Sequence, residues 1–176
     1  RSKNGAVIGQ RNPYTNGNAW FVENVLMVES ADAEITQLDS INTKNTAIVH
    51  KEFLPYLPIA DIQRDSTATI DLVSHKPNHL VYEAASGSEQ LAVFSEIYYP
   101  KGWNAYIDGK PVSHIRVNYL LRALKIPAGS SKIEFKFEPS VIKTGSTIAL
   151  FSSVVFLLFI LITLWHTFRK RELTTV

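Results

Sequence analysis

The sequence contains no cysteine among its 176 residues. This absence excludes a disulfide framework, a thiolate metal site and a cysteine nucleophile, although a domain of this length needs no cross-links in either redox compartment. The chain also lacks an excess of charge of either sign, because 18 Lys and Arg residues nearly balance 16 Asp and Glu residues. Without a basic face, nothing in the sequence indicates a nucleic-acid partner.

Motifs for catalysis are missing as well. The chain has no Gly-rich phosphate cradle, no nucleophile elbow and no paired-carboxylate motif. His75 and His79 have the spacing of two ligands on a helix, but Pro77 between them disfavours a helix and no acidic third ligand is near in sequence. We therefore interpret this stretch as a solvated turn, and predict no catalytic residue, no metal site and no cofactor in this chain.

Near the C-terminus, residues 144–168 contain no Asp, Glu, Lys or Arg. As a helix this run would reach roughly 37 Å, which is enough to cross a hydrocarbon layer of about 30 Å with some tilt. The basic cluster Arg169 to Arg171 follows directly. The sequence therefore predicts a transmembrane helix over residues 140–169, a cytoplasmic tail over residues 170–176 and an extracytoplasmic domain before the helix.

Export of such a domain requires an upstream signal, yet residues 1–14 include no apolar segment and no initiator Met. We expect the chain to be a fragment of a longer protein. The alternative is a tail-anchored protein with a cytoplasmic domain, which would need no signal.

The residue pattern of the N-terminal part of the chain predicts three segments in succession. Residues 1–18 are rich in Asn, Gly and Arg and predict an irregular lead-in. Residues 18–28 are apolar enough for one buried strand. Ser30 then caps a predicted short helix near residues 31–40, in which Ile35, Leu38 and Ile41 fall at helical spacing.

From Thr46 onward the pattern is that of about eight short strands separated by Pro, Asn and Gly. Alternation is clearest near the end of this region, where Ile133, Phe135 and Phe137 face one way and charged residues the other. Regular spacing without intervening helices predicts an all-β fold, an antiparallel β-sandwich of the jelly-roll or Ig-like kind over residues 19–139.

An aromatic stretch, "FSEIYYPKGWNAYIDGKPV" from Phe94 to Val112, has two interpretations. It forms either a platform for a sugar or two neighbouring core strands joined by a hairpin, with Asp108 and Gly109 in a tight turn. We favour the core interpretation for most of the rings. It predicts Phe94 and Tyr106 buried and Trp103 partly exposed.

Two polar residues of a later strand, Asn118 and Arg122, could bind a ligand or a neighbouring domain, although an Arg satisfied within its own strand face is equally common. Because Tyr98 and Tyr99 point to opposite faces of a strand, only one of them can join Trp103 in a platform. The candidate ligand-binding set is Tyr99, Trp103, Asn118 and Arg122.

Four stretches carry a family resemblance, in the same order along the chain: "GNAWFV", "LAVFSEIYYPKGWNAYIDGKPV", "RVNYLLRALKIPAG" and "IEFKFEPSVIKTGSTIAL". With these residues the chain resembles the C-terminal part of bacterial YfhO-like multi-spanning membrane proteins. The resemblance implies a large protein of the bacterial plasma (inner) membrane that is similar to polyprenyl-phosphate-sugar-dependent glycosyltransferases of the cell envelope. It also implies an extracytoplasmic β-domain and a last helix that returns the chain to the cytoplasm.

In such enzymes the acidic catalytic residues lie in the first extracytoplasmic loop, and no position of this chain corresponds to them. The resemblance thus implies an accessory domain and final membrane helix of a lipid-linked-sugar glycosyltransferase. The expected partners are the lipid bilayer, the upstream transmembrane region of the same protein, and a glycan or lipid-linked sugar. The alternative is a non-enzymatic envelope module that binds carbohydrate or a protein partner.

Overall fold

A computed structural model describes residues 12–57 and 65–173. The chain divides into two compact units at the bond between Phe137 and Glu138. The first unit is rich in β-strand, and the second consists of one long helix. Residues 1–11 of the predicted lead-in and residues 174–176 of the predicted tail lie outside the described residues.

The first unit contains two short helical segments, α1 (Ala31–Gln37) with a 3₁₀ turn at Leu38–Ser40, and a second 3₁₀ turn at Lys51–Tyr56. Its strands are β1 (Ala19–Val22), β2 (Asn24–Val28), β3 (Thr46–His50), β4 (Thr69–Lys76), β5 (His79–Ser86), β6 (Gln90–Ile97), β7 (Trp103–Ile107), β8 (Lys110–Val112), β9 (Ile115–Val117), β10 (Leu121–Ile126) and β11 (Gly129–Phe137).

Two antiparallel sheets pack face to face. One has the strand order β4-β5-β11-β7-β8 and the other the order β1-β6-β10-β9. The centre of the core between them is a cluster of rings from both sheets, in which Phe94 lies 4.9 Å from Tyr82 and 4.9 Å from Phe135 between centroids. The predicted antiparallel β-sandwich followed by an apolar helix is therefore confirmed.

Strand β6 is covered on both faces. Ala92 and Phe94 point into the core between the sheets, whereas Leu91 and Val93 point into a second cluster on the other side. Side chains of β3, of β9 and of Leu57 complete that second cluster. The uninterrupted apolar run of β6 follows from this position, because a strand with two buried faces has no solvent side to fill with polar residues.

The layer that covers the second face is a β2-α1-β3 unit whose two strands run parallel. The single buried strand predicted for residues 18–28 is wrong: the chain breaks at Glu23, where the N–H groups of Glu23 and Asn24 both donate to the Asn45 carbonyl at 2.9 Å. A crossover helix joins β2 to β3, and such a connection leads to parallel pairing. Antiparallel pairing thus describes the sandwich but not this pair.

Helix α1 begins as predicted, since the Ser30 hydroxyl accepts a hydrogen bond from the Ala33 N–H at 3.1 Å. The helix does not bury the face that its apolar spacing predicts, because Ile35 is 49% exposed while Glu34 is fully buried. The Glu34 carboxylate contacts the Arg116 guanidinium at 3.2 Å and accepts from the Tyr119 N–H at 2.7 Å. A buried ion pair therefore holds a helix that the sequence suggested would pack through aliphatic side chains.

The aromatic stretch is not a hairpin within one sheet. Strand β6 belongs to the four-stranded sheet and β7 to the five-stranded sheet, so the chain crosses between layers. Phe94 is buried and Trp103 is partly exposed, as predicted. Tyr106, predicted to be buried, is only half-buried, because its strand neighbours Ala105 and Ile107 take the inward positions.

The tight turn predicted for Asp108 and Gly109 is present between β7 and β8. Both residues have positive φ, +50° and +76°, as a type I′ hairpin turn requires. The Asp108 carboxylate accepts from the Lys132 N–H at 2.8 Å, which ties the turn to β11.

The second unit is helix α2 (Ser140–Leu173). Among the described residues it is the one helix long and apolar enough to cross a membrane: the span Ser140–His166 contains an 18-residue stretch with a mean hydropathy of 2.7. The hydroxyls of Thr147, Ser152 and Ser153 each donate to the carbonyl four residues earlier. These bonds satisfy polar groups within the helix itself, which suits a hydrocarbon environment.

Replacing Phe94 by Ala should destabilise the protein by about 3–5 kcal/mol, because it removes the ring that joins the two sheets and leaves a cavity. Ile97→Ala on the same strand is the matched control. Ile97 is 59% exposed, so its loss should cost no more than about 0.5 kcal/mol. Denaturant unfolding of the full chain in detergent, followed by near-UV circular dichroism, measures both; equal losses would contradict this account of the core.

Candidate functional site

The inter-sheet corner between β6 and β7, residues 98–102, is a tight turn in which the Trp103 N–H donates to the Tyr99 carbonyl at 3.2 Å. Gly102 in this corner lies against the ring of Phe137. A Cβ atom at position 102 would stand 2.3 Å from Phe137 Cε2, which is closer than any carbon contact allows. A larger residue at this position would therefore require the ring of Phe137, which is partly exposed, to move aside.

Beside this corner lies a groove of about 560 Å³. Rings from four separate parts of the chain form most of its walls: Phe53, Tyr56, Tyr98, Trp103, Tyr106 and His114. The described residues that line it include no Asp, Glu, Lys or Arg. The groove therefore presents ring surface together with hydroxyl, amide and other neutral polar groups in about equal measure.

Arg122 lies behind the groove with only 2% of its surface exposed. Its Nε donates to the Ile97 carbonyl at 2.7 Å, and its Cζ stacks 4.4 Å from the Trp103 ring and 5.1 Å from the Phe135 ring. Nη1 has no hydrogen-bond partner among the described residues. Burial lowers the pKa of Arg122, and the charge of Glu96 partly opposes that shift.

His114 lies between two rings, 5.3 Å from Tyr98 and 5.9 Å from Phe135 between centroids. Its Nε2 is buried and has no partner among the residues described. Burial, followed by the charge of Arg122, lowers the pKa of His114 to about 4. The imidazole is therefore neutral at physiological pH and acts as another wall of the groove.

Two further rings of the groove have a cation on one face. Lys136 lies 4.9 Å from the Tyr106 ring and Arg116 lies 5.7 Å from the Phe53 ring. Both of these cations have carboxylate partners: Glu134 for Lys136 at 3.6 Å and Glu34 for Arg116 at 3.2 Å. Within the described part of the chain, Arg122 has no such partner.

Of the four predicted ligand-binding residues, Trp103 is the one in the lining of the groove, Arg122 is in contact with it, and Tyr99 is not part of the lining. Tyr99 is 48% exposed and lies 6.5 Å from the Phe137 ring, and Trp103 lies 5.3 Å from the same ring. Arg122 is stacked behind Trp103 rather than exposed to solvent. Their role in ligand binding stays a prediction.

Asn118 is engaged elsewhere. Its side-chain oxygen accepts from the Ile48 N–H at 2.8 Å, and its own N–H donates to the Ile48 carbonyl at 2.9 Å. Asn118 thus continues β9 pairing onto β3, with φ at +50°, a conformation that Asn adopts more readily than most residues. The structure gives this side chain an architectural role.

Sequence reasoning missed four of the six rings that line the groove: Phe53, Tyr56, Tyr98 and His114. Phe53 and Tyr56 come from the 3₁₀ turn after β3, and His114 from the connection between β8 and β9. One signal was present, because strand alternation places Tyr98 and Tyr99 on opposite sides and leaves Tyr98 available to the groove. The others required knowledge of which segments meet.

Metal ligands do not assemble in the described part of the chain, which has no group of three or more His, Cys, Asp or Glu residues able to hold an ion. The histidine pair noted in the sequence separates, with His79 bonded to Glu134 at 2.9 Å and His75 exposed on β4.

The fold defines a β-sandwich protein with a C-terminal helix of membrane-spanning length and composition. Residues 59–149 match the family described as bacterial membrane protein YfhO. Since the match covers more than half of the chain, this protein belongs to the YfhO family. No curated protein and no solved structure matches the chain.

Stability of the β-rich unit should fall as the pH is lowered, because the pKa of His114 is about 4 in the folded protein against an ordinary 6.5. Protonation favours the unfolded chain, so this contribution is complete above pH 6.5 and decreases towards pH 4. His114→Phe keeps the ring contacts and should reduce the drop in melting temperature between pH 7 and pH 5. The exposed His75→Gln serves as control, and a pH dependence left unchanged by His114→Phe would contradict the assignment.

Proposed function

We propose that this chain is a carbohydrate-binding accessory domain with the final membrane helix of a lipid-linked-sugar glycosyltransferase-type envelope protein. The groove would bind a glycan, or the sugar of a lipid-linked donor, while the catalytic residues lie outside this chain. One observation supports the proposal most directly: six rings converge on a groove whose described lining has no Asp, Glu, Lys or Arg.

Ring-lined grooves suit sugars because the C–H face of a pyranose packs against an aromatic face, while hydroxyl groups remain for hydrogen bonds. The volume of about 560 Å³ falls within the range of about 300–1,000 Å³ typical of small-molecule sites. Glycoside cleavage would require two carboxyl groups across the scissile bond, and the described lining offers none. The geometry therefore supports binding rather than hydrolysis.

Trp103→Ala should weaken saccharide binding about tenfold, because covering roughly 50 Å² of ring surface contributes ~1.3 kcal/mol. The full chain in lipid nanodiscs would be titrated with maltotriose, triacetylchitotriose and a broad glycan panel. Tyr119→Ala is the matched control, since this ring is 41% exposed and does not line the groove. Absence of binding by the parent protein across the panel, or equal loss in both variants, would refute the proposed site.

The sandwich is proposed to be extracytoplasmic, with the residues after the helix in the cytoplasm. The cluster Arg169 to Arg171 directly follows the apolar run, and basic residues that abut a span are retained on the cytoplasmic side. Lys132, Lys136 and Lys143 on the other side belong to or adjoin a folded domain, and folded domains translocate largely regardless of charge.

Single cysteines test this orientation cleanly, because the chain has none of its own. In intact cells, a membrane-impermeant maleimide should label Asp39→Cys, at an exposed position of the β-rich unit, and should not label Thr175→Cys until the membrane is opened. Labelling of Thr175→Cys alone would restore the tail-anchored alternative with a cytoplasmic domain.

A further inference from the structure

Trp103 forms part of the groove wall, and one of its faces is already occupied. The Arg122 guanidinium carbon lies 4.4 Å from the centre of the indole, a separation that leaves no room for a ligand on that side. A second contact, to the Phe135 ring at 5.1 Å, and the hydrogen bond to the Ile97 carbonyl at 2.7 Å fix the guanidinium plane. The position of the indole is thus set from behind by a cation.

This cation has no directly paired carboxylate among the described residues. Glu96 acts on it from a distance, and within the described part of the chain no carboxylate forms an ion pair with it. Burial also removes most of the water that would screen it, since Arg122 is 2% exposed. A buried charge that Glu96 offsets only in part acts through the thin indole on whatever occupies the groove.

We propose that Arg122 is the positioning residue of Trp103 and also determines the specificity of the groove, which accepts neutral and anionic saccharides and rejects cationic amino sugars. The part that concerns saccharides rests on the proposed carbohydrate-binding function. Arg122 itself touches no ligand in this scheme. It acts through the indole, by holding the ring in place and by keeping the potential in front of the ring positive.

The size of the discrimination follows from the geometry. A ligand ammonium stacked on the open face of the indole, ~4 Å from its centre, would lie ~8–9 Å from the guanidinium carbon. Repulsion between two unit charges at that distance corresponds to a factor of between about two and about twenty in affinity, depending on the local dielectric response.

Collisional quenching tests the positioning and the field without any saccharide. In a full chain carrying Trp20→Phe and Trp165→Phe, Trp103 is the remaining tryptophan of the three. Because caesium quenches free indole less efficiently than iodide, each quenching constant is divided by that of free N-acetyltryptophanamide, and the iodide-to-caesium ratio below is the ratio of these normalised constants. This ratio should be several-fold above one in the parent chain. Arg122→Met, which keeps the length and loses the charge, should bring the iodide-to-caesium ratio close to one; Lys44→Met, an exposed cation away from the groove, should not.

Arg122→Lys separates the two roles and remains informative if Arg122→Met does not fold. Because Lys keeps the charge but lacks a plane to stack between two rings, the iodide preference should persist while quenching by neutral acrylamide increases. An iodide-to-caesium ratio that Arg122→Met leaves unchanged would overturn the electrostatic role. Acrylamide quenching that Arg122→Lys leaves unchanged would overturn the positioning role.

Specificity is measured with triacetylchitotriose and its deacetylated, cationic counterpart at pH 6. The ratio of their affinities is compared between parent and Arg122→Met, so that other differences between the two probes cancel. Loss of the charge should raise the relative affinity for the cationic probe by between about two- and about twenty-fold; no change would overturn the specificity role. Failure of the parent to bind either probe, with the quenching result intact, would count against the proposed carbohydrate function and not against the position and charge of Arg122.

Discussion

Strand β6 is apolar on both faces, and this constraint determines the architecture of the β-rich unit. Phe94 needs the five-stranded sheet on one side, while Leu91 and Val93 need cover on the other. Leaving one such side chain exposed would forfeit about 1.5–3 kcal/mol, so a two-layer sandwich alone would be poorly stable. The β2-α1-β3 layer supplies the missing cover, which explains why a parallel pair accompanies an otherwise antiparallel fold.

That third layer is attached by polar contacts as well as by apolar burial. The fully buried Glu34 carboxylate holds Arg116 and the N–H of Tyr119, as a buried charge requires if it is not to destabilise the fold. Asn118 and Tyr119 both have positive φ, +50° and +68°, a costly conformation that persists where the surroundings enforce it. Strand β10 begins just after this turn, so the attachment of the third layer also sets the position of Arg122.

Local signals in the sequence sufficed for the elements that depend on local physics. The Ser30 cap bonds within its own helix, and the Asp108-Gly109 turn joins two strands that are adjacent in sequence. The alternation of apolar and charged residues identified the core face of β11. Pairing was not predictable in the same way: the crossing from β6 to β7 and the burial of Glu34 depend on partners far away in sequence. For the same reason, Trp103 could be identified from its own segment, whereas His114 could not.

The crossing from β6 to β7 is what converts this fold into a candidate binding site. A hairpin within one sheet would alternate its rings between two opposite faces. A corner that passes from one sheet to the other at the end of the sandwich instead brings rings from both sheets, and from the turn after β3, to one groove. The end of a sandwich is also where the apolar core is least covered, so a side chain there needs a rigid support. Arg122 provides that support as a flat, charged group stacked on two rings. A neutral aliphatic side chain in its place would fill the same space but would not make the electrostatic potential of the groove positive.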